Sequence, residues 1–151
     1  FNRAYQLQAV QIAAMKTHFQ YKDRNDRALG VMDACPFHGD APPGSHPPGA
    51  HSAVHGKALD VSYYTKTINN TQIGSAPAVI WDNGNLTANF DFTRNSFFFA
   101  TLHSYLPEAT IIVDSKIASA LGSLPYLQPD PSGMHDRHAH IIFGDKIGTT
   151  L

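Results

Sequence analysis

Three imidazoles crowd the segment Met134-His135-Asp136-Arg137-His138-Ala139-His140-Ile141-Ile142-Phe143. On a strand, alternate side chains share a face, so His138 and His140 point one way while Ala139, Ile141 and Phe143 point the other. His135 precedes them on a loop. Two imidazoles on one face of an apolar strand can serve a metal, or divide into one ligand and one proton-transfer group. The alternative is a surface strand that happens to carry histidines. Far upstream, residues 57–64 also alternate, with Leu59, Val61 and Tyr63 on one face and Asp60, Ser62 and Tyr64 on the other. The period of two predicts a strand with Leu59 and Val61 toward the core and Asp60 projecting from its middle. A carboxylate buried there alone is costly, so it needs a cation or hydrogen-bond donors. His51 and His55 lie just before it in sequence. Two histidines and one carboxylate with an open fourth position form the ligand set of a catalytic zinc. Such donors select zinc rather than calcium or magnesium. A further histidine beside the metal can take a proton or stabilise a tetrahedral intermediate.

These side chains must be positioned by the rest of the chain. Residues 4–19 carry Leu7, Val10, Ile12, Ala13, Ala14 and Met15 without Gly or Pro, which predicts an amphipathic helix on the core. A charged turn at 22–27 leads to a short strand at 28–34. Residues 36–50 are a Gly/Pro/His loop that can form neither helix nor central strand. It is either a functional loop, walling a cleft together with residues 123–134, or a floppy surface insertion. Residues 78–81 read as a short strand or helical turn. The spacing of Phe98, Leu102, Tyr105 and Leu106 predicts a buried helix over 95–106, stopped by Pro107, with His103 structural. A β-branched strand follows at 110–114. Next comes a short helix over 115–121, with Ser115 as cap and Gly122 as terminator. A Pro-rich loop at 124–133 then delivers the chain to the histidines. Tyr63, Tyr64 and Trp81 belong either to the cleft lining or, as aromatics more often do, to the core.

Size and composition bound the class. The chain has 151 residues, 42% hydrophobic and 15% charged, enough for one globular domain with its own core. With no internal repeat or second boundary, residues 1–151 read as a single α+β domain, a central, mainly antiparallel sheet flanked by helices. A formal net charge of -1 and no basic face argue against nucleic acid. The single Cys35 excludes an internal disulfide and reads as a small buried apolar residue rather than a nucleophile. No run approaches the ~18 apolar residues of a membrane span. The chain opens on Phe1-Asn2-Arg3, so the expectation is a processed or excised domain whose leader is already gone. Oligomeric state is not legible.

The order of motifs resembles a known group. His55-Gly56-Lys57-Ala58-Leu59-Asp60 followed by His138-Ala139-His140 resembles the zinc peptidases that include D-Ala-D-Ala carboxypeptidases and dipeptidases, with the hedgehog fold as a relative. Asp33-Ala34-Cys35-Pro36-Phe37-His38-Gly39, Arg94-Asn95, Thr110-Ile111-Ile112-Val113 and the spacing His135-x-x-His138-x-His140 bring it closest to the penicillin-insensitive murein endopeptidases. The resemblance covers roughly residues 29–143. It implies a hedgehog/D-Ala-D-Ala peptidase-like fold and one zinc ion held by Asp60, His140 and a third ligand. It makes His138 the catalytic histidine and His135 an auxiliary one. The third ligand departs from the pattern, whose spacing falls on Ala53. A two-residue loop insertion favours His51, and the paired-histidine loop of the murein enzymes favours His55; both stand. The expected activity is hydrolysis of peptidoglycan stem-peptide cross-links, in a periplasm or outside the cell. A D,D-dipeptidase or carboxypeptidase, a non-catalytic metal-binding module and a degenerate homologue are the alternatives.

Overall fold

The computed structural model describes residues 3–21, 31–34, 58–66 and 80–143. Their elements are α1 (Arg3–Gln20), β1 (Val31–Ala34), β2 (Ala58–Ser62), β3 (Trp81–Asp82), β4 (Asn85–Leu86) and α2 (Phe92–Tyr105). The chain continues through β5 (Thr110–Asp114), α3 (Ser115–Ala120), β6 (Leu127–Asp130) and β7 (His138–Ile142). The fold is α+β.

One five-stranded sheet runs in the order β1-β2-β7-β5-β6, and β3 and β4 form a separate hairpin. The junctions β1–β2, β2–β7 and β5–β7 are antiparallel, whereas β5 and β6 run parallel across the short helix α3. The sheet is therefore mixed and mainly antiparallel. Register sorts its side chains. Leu59, Ile141, Ile111 and Leu127 lie in one row across four strands, and all are buried in the core. The adjacent row, Asp60, His140, Ile112 and Gln128, points to the opposite face. The predicted alternation thus holds in β2 and β7, and Asp60, His138 and His140 lie on one face.

The core face packs against α2, where Phe98, Phe99 and Leu102 are buried. Tyr63 meets Phe90 and Phe99 edge-on, and Tyr64 meets Phe98. Outside α2 lies α1. Its buried face is built from Ala9, Val10, Ala13 and Thr17, while Leu7 and Met15 are 47% and 58% exposed. The expected apolar stripe is thus corrected, because small side chains let the two helices approach and leave the long ones outside. Thr17 keeps its buried hydroxyl satisfied by donating to Ala13 O at 2.8 Å.

Three boundaries differ from expectation. Helix α2 starts at Phe92 rather than 95, because Asp91 caps it by accepting from Arg94 N at 3.1 Å. Asp114, not Ser115, caps α3, its Oδ1 accepting from Lys116 N at 2.7 Å. Within the expected loop 124–133, residues 127–130 form strand β6. Pro129 is tolerated there because, among the described residues, β6 lies at the sheet edge with no further strand to require its missing N–H.

Candidate metal and catalytic site

The polar face of the sheet brings Asp60 and His140 together. They are direct register partners on β2 and β7, 2% and 7% exposed. His140 Nδ1 donates to Asp60 Oδ1 at 2.6 Å. The second carboxylate oxygen, Oδ2, lies 3.5 Å from His138 Nε2. His138 pairs in register with Ser62, so it reaches Asp60 diagonally across the two strands. The same carboxylate therefore touches both histidines of the His-x-His motif.

His135 completes the cluster from the preceding turn. Its ring centroid lies 5.2 Å from that of His138 and 5.7 Å from that of His140. His135 Nδ1 donates to Asp130 Oδ2 at 2.7 Å, leaving Nε2 as its remaining nitrogen for chemistry. Asp130 also accepts from Ser132 N at 2.9 Å and Ser132 Oγ at 2.6 Å. These bonds hold its carboxyl down at about 2, the Ser132 hydroxyl above all, with the Ser132 N–H and His135 adding to it. The backbone of the turn is tied separately. Tyr63 OH donates to His135 O at 2.9 Å, and Trp81 Nε1 donates to Asp136 O at 2.7 Å. Burial raises the Tyr63 phenol well above its ordinary value, so the hydroxyl remains a donor. Gly133 at φ 77° supplies the left-handed residue that this turn requires.

Of the residues singled out in the sequence, Asp60, His135, His138 and His140 converge. His51, His55, Cys35 and the loop at 36–50 lie outside the described residues. Tyr63 and Tyr64 belong to the core rather than the cleft lining, and Trp81 is partly buried against it. Asp130 and Ser132 were missed, although Asp130-Pro131-Ser132-Gly133 has the composition of an Asx turn.

The donor chemistry suits a borderline divalent cation, with an aspartate oxygen and a histidine nitrogen side by side. Two such ligands on a tetrahedral zinc stand roughly 3.3 Å apart, whereas His140 Nδ1 and Asp60 Oδ1 are 2.6 Å apart. Coordination through Nδ1 therefore requires the His140 proton to leave that nitrogen for Nε2, and the two side chains to part by less than an ångström. Among the described residues, no three His, Cys, Asp or Glu side chains are grouped to hold a metal ion. A third ligand would have to come from elsewhere in the chain, where the sequence offers His51 and His55.

Compared with protein-family models, curated proteins and solved structures, the chain matches none.

Proposed function

We propose that the protein is a zinc-dependent peptidase that hydrolyses peptide cross-links of peptidoglycan. The observation that carries the reading is the Asp60–His140 pair, 80 positions apart in sequence and 2.6 Å apart in space, with two more histidine rings beside it. Asp60, His140 and either His51 or His55 would hold the ion. A zinc bound there polarises the scissile carbonyl and lowers the pKa of water.

The chain's own residues supply the rest. His138 accepts a proton from the attacking water and returns it to the departing amine. His135, oriented by Asp130, offers a donor from Nε2 when protonated, and Asp130 balances the resulting charge. Burial of Asp60 and His140 keeps water from competing for their polar atoms. The polymeric substrate places the protein in a periplasm or outside the cell.

The test is digestion of purified cross-linked muropeptide dimers by the full chain. Cleavage should stop with a chelator, return with zinc and vanish in His138→Ala. Cleavage of free D-Ala-D-Ala alone would instead mark a dipeptidase. The second reading is a metal-binding module without catalysis, because Asp60 and His140 are buried and would hold an ion without presenting it to a substrate. Zinc binding with no cleavage of either substrate would favour it.

A further inference from the structure

An open groove of about 420 Å³ lies where the end of α2 meets the starts of β5 and β6. Its polar lining comes from His103, Glu108, Thr110, Tyr126 and Gln128. The His103 and Tyr126 rings are stacked, with centroids 4.6 Å apart and planes 15° apart. His103 Nδ1 is buried without a hydrogen-bond partner. The ring's other nitrogen, Nε2, can donate or accept according to the tautomer. Gln128 both donates and accepts, Glu108 accepts, and Thr110 does either.

We propose that this groove binds a neutral, N-acetylated oligosaccharide. Among the described residues no Lys or Arg lines it, and Glu108 would repel a phosphate, sulfate or carboxylate. The aromatic pair offers a flat apolar wall for the C–H face of a pyranose ring. Donors and acceptors set beside that wall match both the hydroxyls and the C=O and N–H of an acetamide.

The groove's position relates it to the histidine cluster. Gln128 is in register with Ile112, and Ile112 with His140, so Gln128 and His140 share the polar face two strands apart. That separation is roughly 10 Å, two interstrand spacings, or about three extended residues of peptide. A glycan in the groove and an amide at His140 can therefore belong to one molecule. This last link rests on the peptidase reading; saccharide binding itself does not.

The test is titration of the isotope-labelled full chain with chitotriose, followed by amide chemical shifts. Saturable shifts at residues 108–110 and 126–128 are expected. Affinity should fall about tenfold, a loss readily resolved, in Gln128→Ala and again in Tyr126→Ala. Gln128 is exposed, so its variant reports on binding even if Tyr126→Ala is damaged. Chitotriose should bind equally with and without a chelator, which separates this site from the fate of the peptidase reading. Three outcomes overturn the proposal: no saturable shift, equal binding of cellotriose, or a D-Ala-D-Ala peptide shifting these amides when the sugar does not.

Discussion

Asp60 Oδ1 and His140 Nδ1 stand 2.6 Å apart across β2 and β7, both on buried side chains. If this pair supplies two ligands of a zinc site, Asp60→Asn removes an anionic ligand while keeping the side-chain shape. Zinc affinity should then drop by more than the ~10–100-fold that follows loss of an outer-sphere partner. Calorimetric titration of metal-stripped protein measures it. Unchanged affinity would remove Asp60 from any metal site.

His138 and His135 should separate from the ligands in a different way. His138→Ala should lower cleavage of cross-linked muropeptides by about 10²–10⁴-fold, the usual contribution of a general acid–base group, while zinc content stays near that of the parent. His135→Ala should slow turnover less, because its proposed role is charge stabilisation rather than proton transfer. Metal analysis alongside the kinetics decides. Loss of zinc in His138→Ala would make it a ligand rather than a proton carrier.

Asp130 makes stability depend on acid in a predictable direction. Its carboxyl titrates at about 2 in the fold against an ordinary 3.8. A depressed carboxylate stabilises the fold above its unfolded pKa, and that contribution disappears as pH falls through the folded value. The loss therefore runs from about pH 4 to about pH 2. Asp130→Asn should lose less stability than the parent over that interval in thermal melts. Ser132→Ala, which deletes the largest cause of the depression, should move the Asp130 titration seen by NMR back toward 3.8. A parent and Asp130→Asn that soften equally would remove the link.

What could be read from the sequence depended on whether a residue's role was periodic or local to a turn. Leu59, Val61, Ala139 and Ile141 advertise their strands by alternation, and the same rule put Asp60 and His140 on one face. Alternation cannot reveal register, so only the fold shows that these two residues are direct partners. Strand β6 was hidden because Pro129 and Pro131 resemble loop chemistry, and an edge position excuses the former. Asp130 was hidden for the same reason. Residues Leu7 and Met15 misled because helical period alone does not say which of two apolar arcs faces a neighbour. His51 and His55, the sequence's candidates for a third ligand, lie outside the described residues.

Asn95 joins the core to the histidine turn, and its loss should be felt in both. It is 1% exposed. Its Oδ1 accepts from Tyr64 N at 3.0 Å, and its Nδ2 donates to Tyr64 O and Asp91 O, both at 2.9 Å. Beside it the buried Asp91–Arg94 ion pair, at 3.2 Å, closes the first turn of α2. Asn95→Ala removes the Tyr64 N–H···Oδ1 bond, whereas Tyr64 O and Asp91 O keep the backbone donors Asp91 N–H and Asn95 N–H. Losing the acceptor of one buried N–H costs about 1–3 kcal/mol, so a loss near ~2 kcal/mol is expected. For a domain of this size that lowers Tm by roughly 4–8 °C. The effect should extend further, because Tyr64 adjoins Tyr63, whose hydroxyl holds His135 O. Tyr63→Phe provides the comparison. Deleting that single hydroxyl should cost only about 1 kcal/mol yet reduce turnover comparably, since it releases the same turn. Thermal melts and muropeptide kinetics on both variants resolve the two effects. A destabilised Asn95→Ala with undiminished turnover at low temperature would show that the core network and the histidine turn are mechanically independent.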